Sequence, residues 1–246
     1  MGKRGRHKSN DNYNNRQPIR EEEDSEQEFR GPQTENKINV QAKTQGQKAY
    51  IREIINNDIV LCQGPAGSGK TIVAIGMALQ YVLGKNSTFK KIILMRPVKE
   101  ACEESIGFLP GDIHEKMSVW AAPVADNLLE FMNKGKVDYL FKTQLIEVIP
   151  LAFCRGRSLN DAFIILDEAQ NCSPKQMLMA LTRIGKNSKM VVNGDITQND
   201  SSGSGKTGLE DAIDRLSGMS GIGIVQLDES DIVRNPMIGE IIRRYQ

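Results

Sequence analysis

Aromatic residues, net charge and long apolar runs are all scarce in this sequence. Phe, Trp and Tyr make up 5% of its 246 residues, with a single Trp. Lys plus Arg number 32 against 31 Asp plus Glu, so no overall field draws the chain toward nucleic acid, and any basic surface has to come from local clustering. No apolar stretch reaches the ~20 residues that a membrane-spanning helix needs, so no membrane partner is expected. The start MGKRGRHK runs into the polar SNDNYNN instead of an apolar segment, so no secretory signal is expected there. The few cysteines, Cys62, Cys102, Cys154 and Cys172, are isolated. With no CxxC pair and no His at ligand spacing, they argue against a structural zinc and point to buried thiols in a reducing, cytoplasmic setting.

The length fits one α/β domain plus a tail. Residues 1–42 are rich in Asn, Arg, Glu and Gln, with EEED at 21–24, a composition that cannot bury enough surface to order itself. The expected organisation is a disordered polar tail over 1–42 and a packed domain over 43–246. In QKAYIREII the residues Tyr50, Ile51, Ile54 and Ile55 share one helical face, and Asn56-Asn57-Asp58 breaks it. Short apolar runs then alternate with helical patterns: IVLC at 59–62, KIILM at 91–95, LIEVI at 145–149, FIIL at 163–166, KMVV at 189–192 and GIVQL at 223–227. That alternation predicts an α/β fold, a mostly parallel sheet with helices on both faces.

The pentapeptide GSGKT occurs twice. The first copy completes a G-x-x-x-x-G-K-T pattern, Gly64-Pro65-Ala66-Gly67-Ser68-Gly69-Lys70-Thr71, leaving one predicted strand and opening a helix. Glycines in that setting turn backbone amides toward phosphates, Lys70 is expected to reach the terminal phosphates of a triphosphate, and the Thr71 hydroxyl to ligate Mg²⁺. The second copy, SSGSGKTG at 201–208, has Asp200 where the first glycine belongs, and a carboxylate at the mouth of a phosphate cradle repels its ligand. Thr207-Gly208-Leu209-Glu210 reads instead as a capping box that opens the helix GLEDAIDRL.

FIILDEAQ at 163–170 delivers Asp167 and Glu168 from a strand end, where ligands bind in open α/β sheets. Asp167 is expected to hold Mg²⁺ through water, and Glu168 to polarise the attacking water. Asp195 and Gln198, after the next strand, are placed to sense the terminal phosphate. Gln47 reads either as an adenine reader, through a two-point carboxamide match, or as an ordinary helix-start residue.

Taken in order, these segments resemble the PhoH family of P-loop ATPases. The resemblance runs from Lys43 to about Tyr245 and rests on KT-x-x-QKAY, GPAGSGKT, LMRPV followed by an acidic stretch and GFLPGD, IEVIPLAFCRGRSLNDAFIILDEAQN, LTRIG-x-x-SKMVVNGDITQ and DIVRNP. It implies a RecA-like three-layer sandwich similar to a superfamily one helicase lobe, with ATP binding and Mg²⁺-dependent hydrolysis. Some relatives act on RNA, so RNA or single-stranded DNA is the implied partner. Carried over, Lys70, Thr71, Asp167, Glu168 and Gln198 form the hydrolytic set, while Arg234 in DIVRNP and Arg155 or Arg157 in RGRS contact phosphate. With one phosphate loop and only about fifty residues after Gln198, a missing second wall is expected from another copy. A homo-oligomeric, hexameric ring follows from that, with an arginine acting in trans, Arg234 or failing that one of Arg155 and Arg157. A nucleotide-gated assembly module with negligible turnover is the alternative, and a small-molecule kinase a third reading. The chain departs from the family pattern at NDSSGSGKTG, where relatives tend to continue with an apolar-Pro turn.

Overall fold

The structure is a computed structural model. It describes residues 1–2, 38–97, 113–198, 205–233, 237 and 244, with only the backbone of 113–120 and of 197. By its contacts the chain divides into Met1–Glu35 and Asn36–Gln246, and all that follows concerns the second unit. Each apolar run picked out above is a strand: β1 (Ile59–Gln63), β2 (Lys91–Arg96), β3 (Ile146–Pro150), β4 (Ala162–Leu166), β5 (Lys189–Gly194) and β6 (Ile222–Gln226). They form one sheet in the order β3-β2-β4-β5-β1-β6, and every neighbouring pair is parallel.

Parallel neighbours need long crossovers, and these carry the helices that cover both faces. The helices are α1 (Gln45–Asn56), α2 (Lys70–Leu83), α3 (Ile113–Leu129), α4 (Lys134–Lys142), α5 (Pro174–Leu181) and α6 (Gly208–Leu216). Strand side chains alternate between two cores, as a period of two dictates. Val60, Cys62, Ile92, Leu94, Phe163, Ile165 and Val191 pack with buried residues of α1 to α4. Leu61, Ile93, Met95, Ile164, Leu166, Met190 and Val192 pack on the opposite side with α5 and α6. Because both faces are covered, β4 and β5 are buried along their whole length. This is why they read as continuous apolar runs and not as alternating ones.

The packed body starts earlier than the boundary at 43 expected from composition. Ile38 and Val40 lie against the α1–α4 core, and Gln80 Nε2 donates to Ile38 O at 2.9 Å. Two branched side chains spaced two apart are enough to dock an extended segment whose average composition is polar. Residues 3–37 of the expected tail lie outside the described residues.

Candidate active site

The loop between β1 and α2 owes its shape to glycine. Gly67 and Gly69 sit at φ 82 and φ 85, the left-handed region that a Cβ penalises. Gly69 caps α2 without any side-chain hydrogen bond, so the first amides of the helix and its partial positive charge remain for an anion. Lys70 Nζ donates to the loop's own carbonyls, to Gly64 O at 2.7 Å and Pro65 O at 2.9 Å. Burial pushes its ammonium below the usual lysine pKa, against the pull of Cys62, Asp195, Asp167 and Glu168. Ser68 closes the turn by donating through Oγ to Pro65 O at 2.8 Å.

Distant segments brace this loop from behind. Gln47, buried on α1, donates through Nε2 to Ser68 O at 3.0 Å, and its Oε1 accepts from Lys43 N at 2.8 Å. Both ends of its carboxamide thus meet backbone, a bracing arrangement that differs from a free two-point reader. Val233 N donates to Gly67 O at 3.1 Å. Asp231, buried, accepts from Gly46 N at 3.1 Å and from Asp228 N at 3.0 Å, which puts a carboxylate at the positive end of α1.

Facing the loop are the strand ends. Thr71 Oγ1 donates to Asp167 Oδ1 at 2.9 Å, and Arg96 Nη2 donates to Asp167 Oδ2 at 2.9 Å. Asp167 is held in place by its own amide on Met95 O at 2.9 Å. Glu168 is exposed and takes a left-handed φ of 59, uncommon for a side-chain-bearing residue and a form of strain that collects at functional sites. Gln170 Nε2 donates to Glu168 Oε2 at 2.7 Å, and the same carboxamide accepts from Asp195 N at 3.0 Å. Gln170 therefore ties the end of β4 to the turn after β5. Tyr50 donates from below to Asn193 Oδ1, linking α1 to that same strand.

These groups surround one cavity of about 810 Å³. Of the residues expected from sequence, Gln47, Ala66, Gly67, Gly69, Lys70, Thr71, Asp167, Glu168, Asp195 and Gln198 line it, while Gly64, Pro65 and Ser68 shape the loop behind. Arg155 is exposed, and Arg157 Nη2 donates to Glu147 Oε1 at 2.9 Å on the edge strand β3; neither lines the cavity. Arg234 lies outside the described residues. Among the lining residues that escaped the sequence reading, Arg96 and Gln170 touch the expected carboxylates. The only signals for them were a strand ending in a cation in LMRPV and the last letter of DEAQ.

A hydroxyl and a carboxylate 2.9 Å apart are hard oxygen donors, suited to Mg²⁺, which keeps several waters and leans on substrate phosphates. The described residues contain no cluster of three or more His, Cys, Asp or Glu that could hold a metal. The amide-lined loop with Lys70 is suited to a polyphosphate.

At the second GSGKT, Thr207 is buried and caps α6. Its Oγ1 accepts from Glu210 N at 3.2 Å, and Thr207 N donates to Glu210 Oε2 at 2.8 Å. Lys206 pairs with Asp214 on the surface. A Cβ on Gly208 would fall 2.6 Å from Ser173 O, so glycine serves close packing against α5 there. Residues 201–204 lie outside the described residues.

Among the described residues no helix is long and apolar enough to cross a membrane. The family model "PhoH-like protein" matches residues 39–246. A PhoH-like protein of Bacillus subtilis is 45% identical over 206 residues, covering 84% of this chain and 64% of the relative. Protein PhoH of Escherichia coli K12 is 36% identical over 83% of this chain and 57% of its own length. The chain thus spans less than two thirds of these relatives. Among solved structures, the large terminase of a thermophilic bacteriophage matches 82% of this chain and 49% of its own at 14% identity, with a TM-score of 0.43. On the family match and the identities to the bacterial relatives, the chain belongs to the PhoH family.

Proposed function

We propose that the chain is a Mg²⁺-dependent ATPase with one nucleotide site, coupled to RNA or single-stranded DNA and working as a hexameric ring. The observation that carries the catalytic part is the 2.9 Å contact between Thr71 Oγ1 and Asp167 Oδ1. It brings a hydroxyl from the start of α2 and a carboxylate from the end of β4 within reach of one ion, with Glu168 as the next residue. Mg²⁺, held by Thr71 and Asp167, would supply charge to the phosphate oxygens. The loop amides and Lys70 bind the β- and γ-phosphates. Glu168 accepts the proton of the attacking water at Oε1, the oxygen that Gln170 leaves available. Gln198, on the cavity wall, has a carboxamide that donates to phosphate and accepts from water at once.

Support for the polymer comes from the turn after β3, where Phe153 is 65% exposed and Arg155, two residues on in the chain, is exposed as well. An exposed aromatic face and an exposed cation suit the stacking of single-stranded bases. Arg155 also does not line its own cavity, as an arginine acting on a neighbouring copy would not. The test is the ATPase rate with and without homopolymer RNA and DNA. One polymer is expected to stimulate turnover, and equal rates in all three conditions would contradict coupling. Arg234→Ala and Lys70→Ala chains, each inactive alone, are expected to recover activity when mixed into one oligomer, with Arg155→Ala or Arg157→Ala taking the place of Arg234→Ala if that variant stays active alone. The grip of Gln170 on Glu168 favours one second reading, a nucleotide-gated assembly module. Nucleotide binding with no turnover under any polymer would select it.

A further inference from the structure

Asp167 is almost fully buried, and both its oxygens are engaged by protein donors. One of those donors is a cation: Arg96 Nη2 lies 2.9 Å from Oδ2, with the Arg96 side chain 17% and the Asp167 side chain 4% exposed. The pair is poorly built for stability. Arg96 Nε is buried without a hydrogen-bond partner among the described residues, and a desolvated ion pair with an unsatisfied donor gives back much of its Coulomb gain. Arg96 also lines the nucleotide cavity, so its guanidinium stands at the wall where phosphate oxygens arrive. A guanidinium is the group whose planar fork matches phosphate as readily as carboxylate.

We propose that Arg96 is a resident counter-ion that competes with Mg²⁺ for Asp167. It neutralises the carboxylate so that a polyphosphate can approach before the metal, and it yields the carboxylate when Mg²⁺ enters with the nucleotide. This rests on the reading of the cavity as a Mg·ATP site. Arg96 acts through Asp167 and is therefore a positioning residue. Its signature is the coupling between metal and nucleotide, which a merely structural role would leave alone. Without Arg96, the metal-free site holds an uncompensated carboxylate that repels phosphate, and Mg²⁺ meets no competitor. Both effects raise the ratio of the ATP dissociation constant in EDTA to that in Mg²⁺.

The experiment measures that ratio by equilibrium binding of a fluorescent ATP analogue to the full chain. The ratio for Arg96→Gln is expected to exceed that of the parent by about tenfold, within the usual span of coupling between sites. Arg96→Lys, which keeps the charge and loses the fork, is expected to fall between the two; it also serves if Arg96→Gln does not fold. An unchanged or smaller ratio in a folded variant that still binds nucleotide overturns the proposal. A parent protein that binds no nucleotide even with Mg²⁺ overturns the reading of the site itself.

Discussion

Lys70 carries a positive charge in a place that favours its neutral form. Burial lowers its pKa in the protein, whereas a bound phosphate stabilises the ammonium. ATP affinity is therefore greatest below the depressed pKa of Lys70. It is lost as pH rises through that value, which lies below the pH at which an exposed lysine gives up its proton. ATP dissociation constants measured across the alkaline range are expected to show this early loss. Lys70→Arg, which stays charged throughout, is expected to show a flatter profile whatever its absolute affinity; an equally steep profile would contradict the assignment. Burial has the opposite consequence for thiols, pushing Cys62 and Cys172 up to about 12, so both are held as inert thiols in agreement with their isolated spacing. Single residues also mark where sequence reading ran out. Arg96 meets Asp167 across 71 positions and Gln170 meets Asp195 across 25. Nothing local distinguishes such side chains from surface polar residues, because their role is set by which strand ends the sheet brings side by side.

Elements were far more legible than partners. All six strands fall where apolar runs stood between turn residues, since burial on both faces leaves little choice of residue type along β4 and β5. The start of α6 was legible for a different reason: caps are local, and Thr207 accepts from the amide of Glu210, three residues on. Thr44 and Ser173 cap α1 and α5 in the same way. The second GSGKT shows how context decides between two readings of one pentapeptide. After β1 the glycines take left-handed φ values and leave the amides open, whereas before α6 the threonine is buried under Glu210 and spent on a cap. Thr207→Ala is expected to lower stability by about 1 kcal/mol, read as a denaturant midpoint. Lys206→Ala, which removes only an exposed ion pair, is expected to leave the midpoint in place. Both variants are expected to bind one nucleotide per chain. The start of the domain was less legible, because Ile38 and Val40 are two apolar residues in a long polar stretch and only α2 reveals what they dock on.

The whole molecule brings these parts together through its strand order. β5 stands between β4 and β1, so the turn bearing Asp195 and Gln198 lies between the strand that delivers Asp167 and Glu168 and the one that leads into the phosphate loop. Gln170 joins that turn to Glu168 through two hydrogen bonds, at 3.0 Å from Asp195 N and 2.7 Å to Glu168 Oε2. The measurement that tests the central claim most directly follows Glu168→Gln under saturating ATP, with bound nucleotide counted alongside hydrolysis. The account predicts one ATP per chain, bound as tightly as by the parent, and hydrolysis slower by about a hundredfold or more, the usual cost of losing a positioned base. Hydrolysis at the parent rate, or a second nucleotide per chain, would contradict it.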